Sequence, residues 1–190
     1  MSNGKYDLIF SGFYIHHTRA LVTDTLWLLT VNCTSAADVT KSGAFLGNLK
    51  SSGDYFHARN IPVQRGISVP PDGTLKFCHA LYNFGHAHDT EEQVIQTSTK
   101  IGLDALLTYF GASSAIGLVN QALDAIFGNL FADCDGVVAY KEFQYTPDQL
   151  AANTAQTGSF SPQDDNYGMP SPGICGAQSH YDVRWAITRV

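Results

Sequence analysis

The sequence predicts a single mainly β domain over residues 1–190, a β-sandwich of about seven or eight antiparallel strands with an αα-hairpin inserted at about residues 90–131. Three observations carry this reading. Aromatics make up 12% of the chain and charged residues only 15%, with 17 glycines, a mixture suited to sheets and turns rather than helical bundles. Several segments alternate or run apolar over strand lengths. Only one long stretch, after residue 89, carries polar residues at steps of three and four.

The first element is Tyr6 to Ile15, apolar on both sides, with Tyr6, Leu8, Phe10, Gly12 and Tyr14 on one expected face and Ile9, Phe13 and Ile15 on the other. A loop follows to Thr25, and Leu26 to Cys33 reads as a second covered strand able to pair with the first. From Thr34 to Asn60 the chain turns to Ser, Gly, Ala, Asp and Lys, which predicts loops around weak strands near Ala44–Leu49 and Tyr55–Arg59. Ile67 to Val69 reads as a short strand before the Pro70-Pro71-Asp72-Gly73 turn.

Thr74 to Phe84 is the most informative strand, because Leu75, Phe77, His79 and Leu81 alternate with Cys78, Ala80, Tyr82 and Phe84 and neither face welcomes water. A second layer has to cover it, and the expected cover is the helical hairpin, opened by acids at 89–92 and broken at Gly111. Val137 to Tyr145 returns to strand, and Pro147 to Asn153 is a candidate helical turn within a long polar loop over 146–178. Tyr181 to Thr188 alternates cleanly, so one of its faces should meet solvent.

Eleven basic against 17 acidic residues give a formal charge of −6, which opposes a nucleic-acid partner. The amino-terminal residues show no secretory pattern and no run suits a membrane span, so the expected location is cytoplasmic, with secretion of a processed form as the alternative. None of the four cysteines forms a C-x-x-C pair; Cys134 and Cys175, both in Gly-rich turns, are the candidate disulfide, and free thiols are the default.

Neutral imidazoles suit zinc or copper, so His79, His86 and His88, joined by one of His16, His17 or His180, are one candidate metal set. Hard carboxylate oxygens suit calcium, and Asp24, Asp133 and Asp135 lie in turn sequence where loops of a sandwich can converge. The 133–144 segment is no EF-hand, since Val137 and Gln144 occupy acid positions; Asx-turns and caps are the commoner explanation of such acids. Tyr55, Phe56, Phe160 and Tyr167 are candidate ligand-stacking aromatics in the loops. The nucleophile elbow, the zincin motif, the phosphate loop and the dinucleotide fingerprint are all absent.

The segment Phe131-Ala132-Asp133-Cys134-Asp135-Gly136, together with the hairpin before it and the Gly173-Ile174-Cys175-Gly176 loop, resembles a loosely defined set of uncharacterised microbial β-sandwich proteins. That resemblance implies no activity and no site residues. The expectation is therefore a non-enzymatic recognition protein that binds carbohydrate or a membrane surface through loops at one end of the sandwich, with calcium as the candidate ion. The alternatives are a membrane-active, toxin-like protein that uses the 90–131 hairpin and a metalloenzyme built on His79, His86 and His88.

Overall fold

The computed structural model describes residues 4–20, 23–34, 39–83, 136–167 and 178–190, and for 163–167 the backbone alone. Among these residues the chain forms nine strands and one short helix. The strands are β1 (Lys5–His17), β2 (Asp24–Cys33), β3 (Val39–Leu49), β4 (Phe56–Ser68), β5 (Leu75–Asn83), β6 (Gly136–Tyr145), β7 (Ser159–Phe160), β8 (Gln163–Tyr167) and β9 (His180–Arg189), with α1 (Pro147–Thr154) between β6 and β7. All pairings are antiparallel and fall into two sheets: β4-β1-β9, with β7 and β8 both alongside β9, and β3-β2-β5-β6. The helical hairpin expected over 90–131 lies outside the described residues.

The two sheets face each other across an aromatic core. Trp185 of β9 has its ring 5.4 Å from Phe10 on its own sheet and 5.1 Å from Phe77 on the other. Burying aromatic and aliphatic side chains of this size stabilises by about 1.5–3 kcal/mol each. Polar groups stitch the layers as well. The guanidinium of Arg59 on β4 donates to the Leu46 carbonyl of β3 at 3.0 Å, and the Asn32 side chain on β2 donates to that of Gln64 on β4.

The central strand of the first sheet departs from the expected face assignment. A register shift between Phe10 and Gly12 against both β4 and β9 inserts a bulge, so the core face reads Tyr6, Leu8, Phe10 and then Phe13, Ile15. Tyr14 is thereby moved off the core face onto the outer one, opposite to a strict period of two. Gly12 is the residue that permits this. Its φ is +147°, and a β-carbon there would sit 2.2 Å from the His57 carbonyl oxygen. Across the same bulge Asn60 adopts φ +52°, a left-handed conformation that asparagine tolerates.

β3 and β4 span 11 and 13 residues, whereas the sequence predicts short, weak strands there. Both are edge strands, and an edge can carry Lys41, Gly43, Asn48 or Pro62 because half of its backbone groups face outward. The described part of the polar 146–178 segment, residues 146–167, carries more regular structure than its composition suggests. Thr146 caps α1 reciprocally with Gln149 and Pro147 opens it, while Leu150 is fully buried. β7 and β8 then pair with β9 on either side of Pro162, whose carbonyl accepts the Trp185 amide at 3.1 Å.

β5 and β9 match their expected patterns. Leu75, Phe77 and Leu81 enter the core while Cys78, Ala80 and Tyr82 are buried on the opposite face; on β9, Tyr181, Val183, Trp185 and Ile187 are buried and the alternate residues are partly exposed.

Gly12→Ala is expected to cost about 3 kcal/mol, because neither the backbone angle nor the His57 carbonyl leaves room for a methyl group. Urea denaturation of the variant measures this, and a loss below about 1 kcal/mol would show that β4 steps aside freely.

Candidate functional site

Pairing positions place one end of both sheets together: His17 opposite His180, Asp24 opposite Leu49, and Asn83 opposite Gly136. Here the chain crosses from β1 in one sheet to β2 in the other, and the crossing is closed by a buried carboxylate. Asp24 accepts the Arg19 amide and the Ala20 amide at 2.8 Å each, and the Tyr181 hydroxyl of β9 at 2.6 Å. Burial raises its pKa above the ordinary aspartate value, against the opposing pull of those three donors and of the Arg19 charge. The Thr25 amide donates to the Asn83 side chain at 2.7 Å, and Gly136 lies so close to the Arg19 guanidinium that a β-carbon would meet it at 2.7 Å. Asp24 thus spends most of its acceptor capacity on fastening the turn and the two sheets.

His79 of β5 is also fully buried. Its Nδ1 accepts the Trp185 indole N–H at 3.2 Å across the sheet interface, and its Nε2 has no hydrogen-bond partner among the described residues. Burial first, and the nearby Lys141 charge second, lower its pKa to about 3, so the ring is neutral. With Nδ1 accepting, the proton of that neutral ring is assigned to Nε2, which leaves no lone pair on the second nitrogen for a metal. His79 is a core residue joined to Trp185. Its expected co-ligands His86 and His88, like Asp133 and Asp135, lie outside the described residues. Among the described residues no group of three or more His, Cys, Asp or Glu side chains is placed to hold a metal ion.

The candidate aromatics separate. Phe160 sits on β7 opposite Ile187, edge-on to Tyr145 at 5.2 Å and packed on the core, far from the other three. Tyr55 and Phe56 stand at the start of β4, and the backbone of Tyr167 pairs with His180. Tyr55 is 66% exposed, with its ring edge-on to His57 at 5.1 Å, and His57 is fixed by Ser52 Oγ at 2.9 Å and by stacking on Phe13.

Phe56 opens a row of rings on the outer face of the first sheet. Its centroid is 5.0 Å from Tyr14 on β1; Tyr14 lies 6.3 Å from His16 at an interplanar angle of 14°, and His16 lies 4.4 Å from His180 on β9. The guanidinium of Arg184 sits 5.7 Å from the Tyr14 ring and bonds Asp182 at 2.5 Å. Every ring in the row is partly exposed, as are both members of the ion pair. The surface therefore offers several adjacent aromatic groups together with a carboxylate and a forked donor.

The sequence reading singled out Phe56 but not Tyr14, Arg184 or Asp182. The outward alternation of 182 and 184 was the available signal; the bulge hid the outward position of Tyr14, and nothing local showed that β1 lies between β4 and β9.

No protein-family model matches the chain, and no curated protein matches it. Among the described residues no helix is long and apolar enough to cross a membrane.

Replacing Asp24 by Ala should strand three donors in a dry site and cost roughly 2–4 kcal/mol. Denaturation of Asp24→Ala beside Tyr181→Phe, which loses a single donor, tests it: equal losses would mean that the two backbone bonds contribute nothing.

Proposed function

We propose that the protein is a non-enzymatic recognition protein that binds carbohydrate on the outer face of its first sheet, at the end where Phe56, Tyr14, His16 and His180 gather. The observation that carries the reading is the contiguous row from Phe56 through Tyr14 and His16 to His180, with the Arg184–Asp182 pair beside it. A sugar presents C–H patches, which favour aromatic surface, and vicinal hydroxyls, which a carboxylate accepts and a guanidinium donates to in fixed directions. Sheet strands hold these groups at fixed spacing, so little ordering cost falls on the protein when a ligand docks.

The site differs from the expected one in position. It uses the sheet face next to the loops, with Phe56 at its rim, and it leaves out Phe160 as well as Tyr55, whose ring lies against His57 on the Phe13 side. Calcium is not needed for the contacts proposed here, because Arg184 and Asp182 supply the polar recognition. The membrane-active alternative rests on residues 90–131, outside the described residues.

Titration calorimetry against a panel of neutral oligosaccharides, preceded by array screening, is expected to find binding that weakens about tenfold in Tyr14→Ala and in Arg184→Ala. Phe45→Ala, which removes an exposed ring from the second sheet, should bind as the unaltered protein does. Absence of binding across the panel, or equal affinity in all three variants, would sink the proposal.

A further inference from the structure

The hydrogen bond between His79 and Trp185 joins the middle strands of the two sheets, β5 and β9, inside the core. Aromatic rings pack on two sides of the bond. Phe143 stacks with His79 at 6.2 Å and an angle of 24°, and the Trp185 ring centroid is 5.7 Å away. Thr30 stands directly across β2, and Lys141 across β6 is the charged side chain beside it among the described residues. No carboxylate is among these neighbours to compensate a positive imidazole.

The bond has a fixed sense, because the indole nitrogen can only donate and Nδ1 must therefore accept. A proton added to the ring goes to Nδ1, the nitrogen that faces the indole N–H at 3.2 Å. The contact then becomes donor against donor, and a charge is placed in an aromatic interior next to Lys141.

We propose that the His79–Trp185 bond is an acid-sensitive clasp: when His79 takes up a proton, the two sheets part at the β5–β9 contact and the aromatic core between them opens. The sign of the linkage agrees with this geometry. The folded pKa of about 3 lies below the ordinary 6.5, so the unfolded chain binds the proton more readily. The contribution of neutral His79 is whole above pH 6.5 and is lost progressively as the pH falls toward 3. The clasp stands apart from the glycan reading, which concerns the opposite face of the first sheet.

The test lowers the pH of the whole protein from 7 to 3 while following near-ultraviolet circular dichroism and hydrogen exchange of the β5 and β9 amides. The aromatic signal and the protection of both strands are expected to disappear together within the window between 6.5 and about 3. His79→Phe, which fills the same aromatic box without a titrating group, is expected to stay closed to a pH lower by about one unit. A native signal that survives to pH 3 in the unaltered protein, or coincident opening in His79→Phe, would overturn the proposal. Should the variant fail to fold, imidazole nitrogen spectra of the unaltered protein decide. A neutral ring protonated at Nε2 throughout the folded state is the expected result, and an imidazolium signal from His79 within the intact fold overturns it.

Discussion

The one-residue bulge at Gly12 governs both surfaces of the first sheet. β1 lies between β4 and β9, so any change in which of its side chains point inward is felt by both neighbours. Before the bulge Leu8 and Phe10 face the core; after it Phe13 and Ile15 do, and Tyr14 and His16 are turned outward beside Phe56 and His180. A strand without the bulge would bury Tyr14 and push Phe13 to the outer surface. The aromatic row and the packing of Phe13 beneath His57 and Arg59 are therefore two results of one backbone constraint, held by a residue without a β-carbon.

The sheets are held together by apolar contact and oriented by a few buried polar bonds. Trp185, Phe10 and Phe77 are among the largest fully buried side chains at this contact, and such apolar contact is non-directional and would tolerate sliding. Asp24 with Tyr181 at one end, His79 with Trp185 in the middle and Arg59 with the Leu46 carbonyl at an edge are directional. The two buried bonds are expensive to leave half-made in a dry interior, and with the part-buried one at the edge they select one relative placement of the layers. The same property makes His79 sensitive to acid, since its role requires a neutral ring.

Much of the sheet content was legible where burial is two-sided or strictly alternating. β5 and β9 carry patterns that a strand satisfies and a helix does not, and their ends agree with the sequence reading to within a residue or two. β3 and β4 were not legible at full length. Edge strands are half solvated, so polar residues, Gly43 and Pro62 cost them little, and composition there resembles a loop. Tyr55 and Phe56 were candidates from the sequence because aromatics near turns stand out. Tyr14, Asp182 and Arg184 were missed because their adjacency depends on which strands pair.

Hydrophobic alternation and turn chemistry are local properties, and through them the sequence alone determined that the chain is mainly β and built from antiparallel strands. The roles of its polar residues were decided only in three dimensions. Asp24 reads equally as a calcium ligand or a turn residue until the Arg19, Ala20 and Tyr181 donors are seen to converge on it, from positions up to 157 residues away. His79 reads as a metal ligand until Trp185, 106 residues further on, is seen to occupy its Nδ1. A side chain's chemistry is set by what surrounds it, and in an antiparallel sandwich the surroundings come from strands that the chain order does not bring together.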